Sequence, residues 1–339
     1  MKRYFFLLFS LLLIFEKSEA QWNISKPPAA GYEDRISSFV DSLRIIDTHE
    51  HFLDPEMVKR AGFLDFSLFF LENGYNDLVS SGMPDTLFSS FFGSALNPKA
   101  KWKIIEPYWS RAYNTVSNRI ILQAVSDLYG IESFDSSSVS ILSERMKKNY
   151  GGIWFDNVMR ERCKADYIIQ DAGKIRQGSN YVHYACRFNP WLLVRRKRTI
   201  DSLAMNQTEP IFTLDAFVKS MRNALSRASN NGMAVIKINI AYNRTLKFEK
   251  TGAEAAKKVF KTLVNGDEQT ELSEKDAKPL QDYMLYMLLE FASEKNIPVA
   301  FHTGLQSGKG NFIENSNPVL LENIFREFPE VSFVLFHGS

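Results

Sequence analysis

The stretch Arg44-Ile45-Ile46-Asp47-Thr48-His49-Glu50-His51 joins a β-branched run to two histidines one residue apart. In a strand, side chains two positions apart project to the same face, so both imidazoles are aimed at one point. A lone His-x-His pair is weak evidence, but two more histidines stand in comparable places. His302 closes the run Ile297-Pro298-Val299-Ala300-Phe301, and His337 closes Val331-Ser332-Phe333-Val334-Leu335-Phe336. Each is the first polar residue after an apolar stretch that reads as a buried strand. In a parallel barrel all strands finish at one rim, so residues that end different strands meet in space. Of the five histidines only His183 sits early in its run, and it reads as structural.

Working outward, the apolar or β-branched runs 43–48, 165–170, 182–188, 233–240, 297–301 and 331–336 are expected strands. Leu280, Tyr283, Met284, Met287, Leu288 and Phe291 repeat at helical spacing and form one stripe. A second helix is expected over 318–328, opened by Pro318 and stopped by Pro329, and a third over 214–230, with Thr213 as its cap. Strands alternating with helices imply parallel β/α units, because a parallel return needs a crossover. The order breaks over 53–164, which is read as a helical insertion carrying Trp102, Tyr108, Trp109, Tyr113 and Trp154 to shape a pocket. The polar segment 265–278 is expected to be a surface loop.

The 339 residues are 45% hydrophobic and 24% charged, enough to bury a large core. A mean hydropathy of −0.21 excludes a polytopic membrane protein. Forty-one basic against 39 acidic residues imply no nucleic-acid partner. Cys163 and Cys186 are too few for a disulfide framework or a thiolate zinc site and leave one bridge open. Lys2 and Arg3 precede an apolar run from Tyr4 to Phe15, with Ser18 and Ala20 at the positions a signal peptidase reads. Residues 1–20 are therefore expected to be a signal peptide, cleaved after Ala20. That makes the mature chain, 21–339, secreted or periplasmic, with no stable membrane association. The sequence does not set an oligomeric state.

Neutral imidazoles favour zinc and other late divalent metals over calcium or magnesium. The three segments Ile46-Asp47-Thr48-His49-Glu50-His51, Phe301-His302-Thr303-Gly304 and Leu335-Phe336-His337-Gly338, in this order, resemble the amidohydrolase superfamily, in its uronate-isomerase-like branch. The resemblance implies a (β/α)8 TIM-like barrel of the metal-dependent hydrolase type. It makes His49 and His51 metal ligands, with His302 a third ligand or close neighbour. His337 is then a ligand or a group polarising the substrate. Lys237, on the expected fourth strand, is either carboxylated to bridge a second metal or a lysine paired with a carboxylate or substrate. Asp47 is placed to orient a ligand. Arg187, Tyr242 and Arg244 lie where they can reach an anionic small-molecule substrate, the arginines through their planar fork.

Only about six strands are present before Ser339, so the barrel is expected to be incomplete, lacking strands 7 and 8 and the late strand-end Asp that the family uses. The expected activity is attack of metal-activated water on a carbonyl-type centre. Aldose-ketose isomerisation of a uronate is the alternative, and an inactive fragment or exported binding protein is the non-enzymatic one.

Overall fold

The computed structural model describes residues 31–52, 64–71, 73–171, 180–205, 209–308 and 310–338. The expected signal peptide lies outside the described residues, as does 53–63 of the expected insertion. The chain forms two compact units, one of Met1–Asp47 and Phe52–Asp166, the other of Thr48–His51 and Tyr167–Ser339.

The first unit is mainly helical: α1 (Tyr32–Ser42), α2 (Asn73–Ser80), α3 (Pro98–Ala112), α4 (Val116–Tyr129) and α5 (Val139–Asn149). Local chemistry sets their ends. Asn97 accepts a hydrogen bond from the Ala100 N–H, and Pro98 fixes the first helical φ, so α3 begins ahead of its apolar stripe. Thr115 caps α4, and Gly130 ends it at a φ of 60° that glycine adopts without strain. The core is aromatic. Phe66, Phe70, Phe91, Trp102, Trp109 and Phe134 are all buried, and Trp102 and Trp109 meet the Phe134 ring at 5.2 and 5.3 Å. These two tryptophans, expected to shape a pocket, instead fill this unit's interior, because burying such large apolar surface is what lets the helices cohere. Tyr113 is exposed.

The strands are β1 (Ile45–Glu50), β2 (Ala165–Asp171), β3 (Val182–Arg187), β4 (Met233–Ile238), β5 (Val299–His302) and β6 (Phe333–Phe336). They form one six-stranded sheet in the order β1-β2-β3-β4-β5-β6. The pairings from β2-β3 to β5-β6 are parallel. Sequential parallel neighbours are the arrangement of a (β/α) barrel arc, here of six strands. The crossovers carry α6 (Lys197–Ala204), α7 (Leu214–Asn230), α8 (Ala253–Asn265), α9 (Glu274–Lys295) and α10 (Glu322–Glu327). Thr213 caps α7 as expected. Leu280, Met284, Leu285, Leu288 and Leu289 of α9 are fully buried, each contributing about 2 kcal/mol.

Two local expectations change. The loop before α9 spans only 266–273, because Ser273 caps the helix and Glu274 and Asp276 favour its positive end. The segment from Pro318 is a 3₁₀ turn, Pro318–Leu321, followed by α10. Cys163 and Cys186 are not joined to each other, so the bridge is not made. No helix among the described residues is long and apolar enough to cross a membrane.

Candidate metal centre

The second unit places its chemistry by strand alternation. Ala185, Val235 and Ala300 are buried together, with Ile169, Val334 and Phe336 packed against them. Two residues after four of these positions stand Asp171, Arg187, Lys237 and His302. Because the side-chain period of a strand is two, each lies on the same face as the apolar residue below it. The register agrees: Asp171 pairs with Ala185, Arg187 with Lys237, Lys237 with Ala300, and His302 with Phe336.

His49, His51 and Asp171 each offer a ligand atom, and these atoms lie within 4.8 Å of one another. The Nε2 of His49 is 3.5 Å from Asp171 Oδ2. The His49 and His51 rings are 5.0 Å apart, and His49 stacks on Phe336 at 4.4 Å. Two nitrogens and one carboxylate oxygen converging in this way fit a divalent metal such as zinc.

The Asp171 carboxylate is almost sealed from solvent. Its Oδ1 accepts from Arg187 Nε at 2.7 Å, and its Oδ2 lies 3.5 Å from Lys237 Nζ. Burial opposes its charge, but the hydrogen bonds from His49 and Arg187 and the charges of Arg187 and Lys237 prevail, holding it well below the usual carboxylate range. Lys237 is fully buried; its Nζ is 3.4 Å from His49 Nε2 and 3.7 Å above the Phe336 ring. Desolvation pulls its ammonium down to about 8, against the attraction of Asp171.

His337 and His302 complete a chain of rings. His49 and His337 are 5.0 Å apart, His337 and His302 4.2 Å, and His302 and Tyr242 4.7 Å. Burial is the first cause that brings His302 and His337 down to about 4; His337 adds to the effect on His302, while His49, Lys237 and His51 do so on His337. His337 has a φ of 67°, an uncommon backbone state that such turns at functional sites often hold.

Of the eight residues expected to bind metal, bridge metals or act on substrate, seven thus gather here: His49, His51, His302, His337, Lys237, Arg187 and Tyr242. Two of them have partners that the sequence did not indicate. The third ligand atom beside His49 and His51 comes from Asp171, whereas His302 Nε2 is hydrogen-bonded to the Leu305 carbonyl at 2.9 Å. Arg187 Nε is committed to Asp171. The eighth residue, Arg244, does not join the cluster. It is 5% exposed, bonded to Gln281 Oε1 and Asp282 Oδ1 at 2.8 Å each, and lies over the Phe248 ring. A cation this buried needs such partners, so Arg244 locks the loop after β4 onto α9. His183, read as structural, stacks on Tyr167 at 3.9 Å. Asp171 was not singled out. Its signal was the alternation Ile169-Gln170-Asp171, the counterpart of Val235-Ile236-Lys237.

Residues 253–339 match the protein-family model Amidohydro_2, described as amidohydrolase. Protein fluG of Emericella nidulans is 28% identical over 107 residues, 30% of this chain but only 12% of that protein's length. Among solved structures, uronate isomerase from Thermotoga maritima is similar with a TM-score of 0.69 at 14% identity, over 87% of this chain and 71% of that one. Glucuronate isomerase from Caulobacter crescentus gives 0.66 at 16%, over 88% and 69%. A candidate metal-dependent hydrolase from Lactobacillus casei gives 0.56 at 17%, over 89% and 69%. At these identities the structural likeness speaks to the fold.

Proposed function

We propose that the chain is a member of the amidohydrolase superfamily and a metal-dependent hydrolase acting on a carbonyl-type centre of a small molecule, a reading supported by the family match of its segment 253–339 and by its fold. The observation that carries this reading is the convergence of His49, His51 and Asp171 within 4.8 Å. One zinc ion is the cofactor proposed for these donors. Bound there, it supplies Lewis-acid polarisation and an activated water. The chain's own residues do the rest. Arg187 and Lys237 keep Asp171 ionised and fixed. His337, held near 4 by burial, is an unprotonated acceptor at neutral pH on the face shared with His49.

Isomerisation of a sugar acid is the second reading, since Arg187 stands at the site and suits a carboxylate. It is the weaker one because Arg187 already serves Asp171. The test is turnover of zinc-loaded protein on amide, ester and lactone panels and on uronates, in water enriched in heavy oxygen. Incorporation of the label into product supports hydrolysis. Uronate turnover without label supports isomerisation, and turnover of neither class points to a binding protein or inactive fragment.

Export is a separate proposal, carried by Lys2, Arg3 and the apolar run from Tyr4 to Phe15. N-terminal sequencing of the mature protein should begin at Gln21; a retained Met1 would contradict it.

A further inference from the structure

Four consecutive cations, Arg195-Arg196-Lys197-Arg198, lead into α6, where they repel one another and the positive end of the helix. Two of the four are matched at close range: Lys197 Nζ pairs with Asp201 Oδ2 at 2.8 Å, and Arg196 pairs with Glu271. Arg195 is held by its Nε, which donates to the Leu272 carbonyl at 2.8 Å. Its two terminal nitrogens lie 3.5 Å from Glu271 and 3.9 Å from Glu274, too far for good hydrogen bonds. Arg198 is exposed and makes no ion pair among the described residues. Arg195, Arg196, Arg198 and Arg244 wall one cavity of about 260 Å³, in which Glu271 and Glu274 are the acidic lining residues. Its frame is fixed. The Leu272 N–H donates to the Arg195 carbonyl at 3.0 Å, Arg196 and Glu271 form an antiparallel bridge, and Gln281 Nε2 donates to the Val194 carbonyl at 3.2 Å. It is also reachable, since the Arg195 and Glu274 side chains are 33% and 64% exposed.

We infer that this cavity binds a doubly charged phosphoryl group, at a site that shares no lining residue with the metal centre. With Glu271 matched to Arg196 and Asp282 to Arg244, the cavity keeps two arginines, Arg195 and Arg198, against one glutamate, Glu274. Glu274 gives way at little cost, because its carboxylate is mostly in water and its contact with Arg195 is long. Two guanidinium charges then stand ready for a dianion, and the planar fork of arginine suits pairs of phosphoryl oxygens. The Thr199 and Asn243 side chains in the wall add neutral polar groups for the remaining oxygens. A carboxylate brings one charge and two oxygens, so it leaves one arginine unmatched. The site stands whether or not the metal centre turns over a substrate.

The probes are inorganic phosphate, methyl phosphate and acetate, titrated at millimolar concentration into the full chain by isothermal titration calorimetry. The titrations are run at pH 7.5 and constant ionic strength, with a chelator present so that no metal ion holds the phosphate. A phosphoryl probe is expected to bind about ten-fold more tightly than acetate. Methyl phosphate binding as well as phosphate identifies an ester-borne phosphoryl group as the occupant, and binding confined to inorganic phosphate identifies the free ion. Either result supports the site. Arg195→Gln and Arg198→Gln should each weaken binding about ten-fold, Glu274→Gln should strengthen it, and His49→Ala should leave it unchanged. Phosphoryl probes that bind no better than acetate, or that bind folded Arg195→Gln and Arg198→Gln as they bind the parent, overturn the inference. So does binding lost in folded His49→Ala, which would place the phosphate at the metal centre. If Arg195→Gln does not fold, the exposed positions, Arg198→Gln and Glu274→Gln, decide.

Discussion

Lys237 Nζ lies 3.5 Å from Asp171 Oδ2, with the two side chains 0% and 2% exposed. A cation and an anion are thus buried together at the end of the apolar row formed by Ala185, Val235 and Ala300. Neither is tolerable there alone, because a charge taken out of water needs a partner. The pair also fixes where the carboxylate stands relative to His49.

Asp171→Asn should therefore destabilise the protein by about 3 kcal/mol or more, since it leaves Lys237 buried without an anion and Arg187 without its acceptor. Urea unfolding followed by circular dichroism measures this. A midpoint unchanged from the parent would show that the pair contributes nothing.

Acid should weaken the metal-free protein in two separate windows. His302 and His337 have folded values of about 4, below the unfolded value of about 6.5. Their contribution is complete above 6.5, falls as pH drops from there toward 4, and changes no further below. Asp171 is depressed, so its contribution is intact above about 4 and is lost only as pH falls below that value. Thermal unfolding across pH 7 to 3 should show both declines, and His302→Gln with His337→Gln should flatten the upper one. A flat profile between 6.5 and 4 in the parent would contradict the assignment.

Arg244→Met should separate stability from metal uptake. It removes the guanidinium that bonds Asp282 and Gln281, leaving Asp282 without its arginine and costing about 3 kcal/mol. Zinc content at low temperature should be unchanged. Loss of zinc in folded Arg244→Met would place this residue at the centre after all.

The two cysteines should differ in reactivity. Burial, helped by the Asp171 charge, pushes Cys186 up to about 11, so it stays protonated and shielded at neutral pH, whereas Cys163 is half-buried. Iodoacetamide at pH 8 followed by peptide mass mapping should modify Cys163 in folded protein and reach Cys186 only after denaturation. Equal labelling of both under native conditions would contradict the burial of β3.

Strand positions were legible from sequence because each is a short apolar run closed by a polar residue, and β4, β5 and β6 follow the runs ending near Lys237, His302 and His337. The histidines were legible for the same reason. Asp171 was not, because carboxylates are common at strand ends and only the pairing of β2 with β3 brings this one opposite Ala185. Arg244 was misplaced because sequence gives its position after a strand but not the direction of its side chain. That direction is set by Gln281 and Asp282 of α9, 37 and 38 residues further along the chain. The tryptophans of α3 carried no signal that separates a pocket wall from a core.

The most direct test of the metal centre is zinc content by plasma mass spectrometry after equilibrium dialysis of the parent and of His49→Ala, His51→Ala, Asp171→Ala and His302→Ala, each checked for folding by circular dichroism. The account predicts about one zinc per parent chain, its loss in the first three variants, and its retention in His302→Ala, whose Nε2 is bonded to Leu305. Folded His49→Ala and His51→Ala proteins that keep the parent's zinc would contradict it.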